Sequence, residues 1–227
     1  MVDRGMTTVG FIGSGNIGST VARLAVAAGY DVVLSNSRGP GTLADLVAQI
    51  GPNARAATAA EAASAGDIVV VSVPFKAYQD LPVEQLAGKL VLDTNNYYPQ
   101  RDGNFPELDN GETTSAELEQ KQLGSAQLVK VFNNIYFKHL GSLARPAGAA
   151  DRTALTIAGD DSKAKQTATA FLNAIGYDTV DVGPLAESWR VEPDRPAYGG
   201  PYGSFEDPAG TPADVAKVRA AVAEAQR

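Results

Sequence analysis

Gly10-Phe11-Ile12-Gly13-Ser14-Gly15-Asn16-Ile17-Gly18 sets three glycines, spaced G-x-G-x-x-G, between two segments of opposite character. The residues before it, Thr8 to Ile12, are short, apolar and β-branched, as a buried strand requires. After it, Ile17, Val21, Leu24, Ala25 and Ala28 recur at helical spacing, and Gly29 supplies a stop. Between a strand and a helix, Gly13, Gly15 and Gly18 can make a tight turn, admit a pyrophosphate and let the helix pack close. The unpaired N–H groups and positive dipole end of that helix then face the phosphates. Glycine-rich turns are common, and it is the flanking strand and helix that turn the motif into a dinucleotide-binding expectation.

The second strand predicts which dinucleotide. An NAD-preferring site carries an acid at the end of this strand, against the ribose hydroxyls. Here Asp31-Val32-Val33-Leu34 runs into Ser35-Asn36-Ser37-Arg38, and the only acid, Asp31, stands at the wrong end. Hydroxyls, an amide and a guanidinium are the groups that suit a 2′-phosphate. A plain polar turn with a solvated Arg38 is the bland alternative. Behind a dinucleotide turn, Asn36, Ser37 and Arg38 predict NADP(H) over NAD(H).

Strand and helix continue to alternate. Strands are expected at Asp67–Val73, Leu90–Asp93, Gln127–Phe132, Ala154–Ala158 and Asp178–Val182. Helices are expected from Thr42, from the capping-box pairs Thr58/Glu61 and Thr114/Glu117, and over Ser162–Ile175. Such repetition predicts an α/β fold: a Rossmann-type, doubly wound, mostly parallel sheet with helices on both faces. We expect one domain over residues 1–192 that includes the acceptor pocket, with a short C-terminal β-α-β extension. Residues 193–227 form a Pro/Gly-rich tail ending in a helix near 213–226. The tail either wraps its own domain or crosses to a partner subunit, with a slight preference for the second.

The 227 residues carry a net charge of −7 and 44% hydrophobic residues, which suits a globular protein and argues against nucleic acid as a partner. No apolar run is long enough for a bilayer, and Met1–Met6 lack the apolar core of a signal peptide. With no cysteine and a single histidine, His139, the chain offers no disulfide, thiolate metal site or thiol nucleophile. The expected setting is the cytoplasm.

In an open parallel sheet the ligand crevice lies at the carboxyl ends of the strands. Those ends read Ser72-Val73-Pro74-Phe75-Lys76, Asp93-Thr94-Asn95-Asn96-Tyr97-Tyr98 and Phe132-Asn133-Asn134-Ile135-Tyr136. They carry amides and aromatics but no acid–base pair, metal cluster or activated nucleophile. Asp93 reads better as a carboxylate capping backbone N–H groups than as a catalytic acid, and Lys76, Lys138 and His139 as solvated or packing residues. Hydride transfer between two rings needs alignment more than proton chemistry. We therefore expect no catalytic acid or base, and a flat acceptor bound in the sheet's own crevice.

Five motifs taken in order, Gly13–Gly18, Ser35–Arg38, Ser72–Phe75, Val131–Ile135 and Gly183–Ala186, resemble the F420-dependent NADP reductases over Thr8 to Glu192. Those enzymes pass hydride between NADP(H) and the deazaflavin coenzyme F420. The chain also looks related to the cytoplasmic domain of mammalian ferric reductases, which use NADPH and a flavin. The resemblance implies that Ser37-Arg38 clamp the 2′-phosphate and that Val73 and Pro74 form the turn beside the nicotinamide. It further implies that Asn95, Asn133 and Leu185 line the deazaflavin pocket, and that the enzyme is a homodimer taking a small-molecule co-substrate. The chain departs from archaeal members at Asn133, where they carry histidine, and at Thr42, where they carry a basic residue. The cofactor-binding set is thus Gly13, Ser14, Gly15, Asn16, Ile17, Gly18, Asn36, Ser37, Arg38, Ser72, Val73, Pro74, Asn95, Asn133, Asn134 and Leu185. An NADPH-dependent reductase of a flavin or of a small imine or carbonyl, with Tyr97 or Tyr136 as proton donor, is the first alternative. A non-catalytic NADP(H)-binding redox sensor is the second. A methyltransferase is more distant, because its glycine turn is usually preceded by an acid and Val9-Gly10 supply none.

Overall fold

A computed structural model describes residues 7–227. Met1–Met6, and the expectation that they form no signal core, lie outside the described residues. The chain alternates as the sequence predicts: β1 (Thr8–Ile12), α1 (Asn16–Ala27), β2 (Asp31–Ser35), α2 (Ala44–Ile50), β3 (Ala54–Ala56), α3 (Ala59–Ala65), β4 (Ile68–Val71), α4 (Val83–Leu86) and β5 (Leu90–Asp93). There follow α5 (Pro99–Asp102), α6 (Pro106–Asp109), α7 (Ser115–Leu123), β6 (Gln127–Lys130), α8 (Phe137–Ser142), β7 (Ala154–Gly159), α9 (Ser162–Ala174), β8 (Asp178–Gly183) and α10 (Val215–Ala223).

The eight strands form one sheet in the order β3-β2-β1-β4-β5-β6-β7-β8. All neighbours pair in parallel except β6 and β7, which run antiparallel through Val129↔Gly159 and Lys130↔Ala158. The result is a doubly wound, mostly parallel α/β sheet of the Rossmann type in a single domain. The order reverses between β1 and β4, and the strand ends on either side of that point open the crevice. Ile68-Val69-Val70-Val71 is buried throughout, because β4 is covered on both faces. Val9, Phe11 and Val70 turn to a core shared with α1 and α9, while Ile12, Val69 and Val71 turn to another shared with α7.

Two glycines explain how tightly the first unit closes. Gly13 has φ +97°, and a Cβ there would stand 2.1 Å from the Ser72 carbonyl oxygen. A Cβ on Gly18 would stand 2.3 Å from the Gly13 carbonyl oxygen, so α1 packs on the turn only because the residue is glycine.

Several elements differ from expectation. β4 stops at Val71 and β6 at Lys130, each about two residues early, because the backbone then turns into the crevice. β3, α5, α6 and α8 are too short to leave a period in the sequence. Thr42 lies inside a 3-10 turn, Pro40–Leu43, ahead of α2. The last helix is capped by the Asp214 side chain, which accepts from the Lys217 N–H, so it begins later than Thr211-Pro212 suggested.

The tail wraps its own domain. Tyr202, Ala213 and Val218 are fully buried in the main core. The Tyr202 hydroxyl donates to the Ala154 carbonyl, and the Ala154 N–H donates to the Ala213 carbonyl, so the tail is stitched to the start of β7. Among the described residues no helix is long and apolar enough to cross a membrane.

Candidate functional site

The side predicted to take the nucleotide is assembled by the end of β2. The Ser35 carbonyl accepts from the Gly13 N–H at 3.1 Å and from the Ser14 hydroxyl at 2.8 Å, so the glycine turn and the β2 end are held together. α1 then starts from Gly15 with no side chain capping its first N–H groups. A Cβ on Gly15 would meet nothing within 4 Å, unlike those on Gly13 and Gly18. Past β2, the Asn36 side chain accepts the Arg38 N–H at 3.0 Å and donates to the Thr42 hydroxyl at 2.9 Å, a local turn that leaves Ser37 and Arg38 exposed. Asp31 sits at the far end of the strand, bonded by Asn53.

A cavity of about 560 Å³ runs from this turn across the strand ends. Gly15, Asn16, Ile17, Ser72, Val73, Asn95, Asn133 and Asn134 line it. Gly13, Ser14 and Gly18 build the turn without lining the cavity, Pro74 is exposed beyond Val73, and Asn36-Ser37-Arg38 lie outside it. Leu185 is not brought there. It is fully buried in the α7-side core, with its carbonyl accepting from the Thr114 hydroxyl and its N–H donating to Asp160. Its position after β8, rather than at the switch point, puts it behind the wall instead of in it.

The amides divide their labour. The Asn95 Oδ1 accepts the Val73 N–H at 3.0 Å while its Nδ2 donates to Glu119, which locks β4's end to β5's. Asn134 donates to the Ala197 carbonyl, accepts from Thr156, and through its own carbonyl receives the Gly199 N–H, so it ties down the tail. Asn133 differs from both. Its Nδ2 faces two acceptors, the Val191 carbonyl at 2.8 Å and Asn96 Oδ1 at 3.2 Å, which fixes the amide's orientation. The opposite atom, Asn133 Oδ1, is buried and has no partner among the described residues. Just before it, Phe132 holds φ +63°, a left-handed conformation that costs a bulky residue about 1–3 kcal/mol and clusters at functional sites.

Beneath these amides lies a sealed ionic cluster. Asp93 caps the Asn95 N–H at 2.7 Å, as expected of a strand-end carboxylate, and pairs with the Lys130 ammonium at 2.8 Å, both side chains fully buried. Lys130 also donates to the Asn95 carbonyl and the Ser115 hydroxyl. Burial, with Asp93 close by, pushes the Glu119 carboxyl well above the usual carboxylate range, so it holds its proton and bonds to Asp93. Burial opposes the charge on Lys130, but its ion pair and hydrogen bond with Asp93 outweigh it and keep the ammonium protonated.

Residues the sequence did not single out close the other side. Tyr98 and Arg101 come from the start of α5, and Tyr198, Gly199 and Phe205 come from the tail. Arg101 lies 4.8 Å from the Tyr98 ring centre and is held by two bonds to the buried Asp102 carboxylate. Burial opposes ionisation of Asp102, but Arg101 and the Tyr98 and Lys76 N–H groups hold its carboxyl below the usual range. The Tyr98 and Tyr198 hydroxyls are hydrogen-bonded to each other. Tyr97 takes no part, since its hydroxyl donates to Asp109 at 2.7 Å and accepts the Phe105 N–H outside the cavity. His139 is buried and bonds the Asp207 carbonyl, while Lys76 and Lys138 are exposed. The doublet of tyrosines at 97 and 98 was visible in the sequence; the tail's contribution left no signal beyond three aromatics in a Pro/Gly-rich stretch.

Comparison with known proteins agrees with this architecture. Residues 8–97 match the family described as NADP oxidoreductase, coenzyme F420-dependent. The structure of the hypothetical protein SMa0349 from Sinorhizobium meliloti is 30% identical, with a TM-score of 0.72 over 85% of this chain and 93% of that one. A proposed F420-dependent NADP reductase from Arthrobacter sp. FB24 is 24% identical, with a TM-score of 0.68 over 81% of this chain and 87% of that one. The rat metalloreductase STEAP3 is 30% identical over 187 residues, 81% of this chain. The chain spans 35% of the length of that relative and 39% of another, a protein from Escherichia coli. The fingerprint turn, the β2 end and the β4–β5 crevice all fall within the matched residues, and the chain belongs to the family of coenzyme F420-dependent NADP oxidoreductases.

Proposed function

We propose that the protein passes hydride between NADP(H) and coenzyme F420. The observation that carries this reading is the single cavity joining the Gly15–Ile17 turn to the Val73, Asn95 and Asn133 crevice, large enough for two ring systems side by side. When bound, NADP(H) supplies or takes up the hydride. The free N–H groups of α1 hold the pyrophosphate, and the open face of Gly15 leaves it room. Ser37 and Arg38, exposed and anchored by Asn36, hold the 2′-phosphate; Ser72, Val73 and Pro74 border the nicotinamide. Asn133 Oδ1, buried and unpartnered, asks for an N–H from a bound ring. Asn95, fixed by Val73 and Glu119, keeps the two strand ends in register so the rings align. We place the enzyme in the cytoplasm as a homodimer, with residues 1–192 as the catalytic unit and the tail as its cover.

Mixing the protein with oxidised F420 and either NADPH or NADH, and following the deazaflavin absorbance, tests the reading. Rapid bleaching with NADPH and little with NADH is the expected result. NADPH binding with no bleaching overturns F420 as acceptor and directs the search to flavins and small imines.

A further inference from the structure

We propose that Tyr98, paired through its hydroxyl with Tyr198, donates the proton that accompanies the hydride onto the acceptor. This rests on the hydride-transfer reading above and supplies the proton which that reading leaves unassigned. Both tyrosines line the cavity, one from the start of α5 and one from the tail, and their hydroxyls meet.

The surroundings of the pair bear on its direction. Burial first, and then the bond to Tyr98, favour the protonated form of Tyr198. Either hydroxyl can donate in the pair, and the productive orientation is the one in which the Tyr198 O–H donates to the Tyr98 oxygen. The Tyr98 proton is then left over, and no acceptor among the described residues takes it. The Arg101 guanidinium sits over the Tyr98 ring, pinned there by Asp102. The Tyr198 hydroxyl and the Arg101 guanidinium over the ring are the contacts that the Tyr98 side chain keeps when its proton leaves. No other group in the cavity has this support. Tyr136 has the Lys138 ammonium over its ring at 5.9 Å but, among the described residues, no hydroxyl partner like that of Tyr98; His139 points its Nε2 at the tail, and Lys130 and Glu119 are sealed beneath the floor.

The step balances. A C–H bond of the reduced nicotinamide breaks and its electron pair forms a C–H bond at an electrophilic carbon of the acceptor, or an N–H bond at N5 of a flavin. The Tyr98 O–H bond breaks, its electrons stay on oxygen, and the proton forms an N–H or O–H bond on the conjugated heteroatom of the acceptor. Water then reprotonates Tyr98. The acceptor class is a conjugated system that takes a hydride at carbon, as deazaflavins and imines do, or at N5, as flavins do, and a proton at a heteroatom.

The test compares wild type, Tyr98→Phe and Tyr198→Phe on whichever of F420, flavin mononucleotide or a cyclic imine the wild type reduces. Tyr98→Phe is expected to lower kcat by about 100-fold, within the usual worth of a positioned proton donor, with the NADPH KM unchanged. Without any nicotinamide present, its dissociation constant for the oxidised acceptor should rise roughly three- to tenfold through the lost hydrogen bond. Tyr198→Phe should lower kcat by a smaller factor, about tenfold, and carries the test if melting curves show that Tyr98→Phe does not fold. Wild-type kcat and acceptor affinity in the folded Tyr98→Phe variant, or unchanged kcat in Tyr198→Phe where that variant carries the test, overturn the inference alone. No turnover of any of the three acceptors by wild type overturns the hydride-transfer reading and this inference with it.

Discussion

The glycine turn proposed to hold the nucleotide and the wall proposed to face the acceptor share one cavity and are built in opposite ways. The turn is made within residues 8–38, from neighbours in sequence, and its ligand-facing groups stay exposed. The wall joins Tyr98 to Tyr198 across 100 residues and stands on a buried floor of Asp93, Lys130 and Glu119. Local assembly lets binding groups be changed without touching the core, whereas the wall makes stability and acceptor recognition depend on the same residues.

The largest effect should come from the floor. Lys130→Met leaves the Asp93 carboxylate buried without a cation, a loss of about 3–5 kcal/mol that a chemical denaturation curve would read. A loss below about 1 kcal/mol would mean that the floor tolerates change as the turn does.

Within the turn, two glycines two residues apart should separate fold from binding. Gly13→Ala forces a Cβ against the Ser72 carbonyl at positive φ and should cost on the order of 2–4 kcal/mol. Gly15→Ala meets open space, so the melting curve should move by less than about 0.5 kcal/mol while the NADPH dissociation constant rises on the order of tenfold. Equal destabilisation by both would erase the distinction between the regions.

Arg38→Ala should weaken NADPH by about 1.5–3 kcal/mol, roughly 10- to 150-fold, and leave NADH and stability unaltered. Equal loss for both nucleotides, measured by fluorescence titration, would remove the 2′-phosphate from this residue.

The smallest effect is one of pH. The folded Glu119 carboxyl titrates above its ordinary value of 4.5, so the native state keeps a proton that the unfolded chain releases. Its contribution to stability is therefore full below about pH 4.5 and is lost as pH rises through the folded value. Glu119→Gln keeps a donor toward Asp93 and an acceptor toward Asn95, and should flatten stability against pH above 4.5, overtaking wild type toward neutrality. A parallel profile in the two proteins would show Glu119 to be ionised in the fold.

The same contrast explains what the sequence revealed. Gly13, Gly15 and Gly18, the acid-free end of β2 and the apolar run of β4 each act through neighbours a few residues away, and pattern reasoning reads such signals well. Asn95 and Asn133 were legible because a parallel sheet brings its strand ends together. Leu185 was carried by motif alone, and its burial behind β8 depends on a long-range placement that no local signal encodes. Arg101, Tyr198 and Phe205 were missed for the converse reason: α5 is one turn long, and the tail's irregular backbone is held by Asn134, Ala154 and Tyr202 rather than by any period of its own.

The tail's place in the cavity has a consequence for how the protein comes into being. A ribosome delivers the glycine turn first and Tyr198 and Phe205 only after all eight strands have emerged. The residues of the glycine turn are therefore synthesised before those of the wall, while the core they share closes only when the tail's Tyr202, Ala213 and Val218 are in place. Pairing contacts so distant in sequence also closes slowly. Refolding from denaturant should thus leave the tail protease-sensitive until that core has closed.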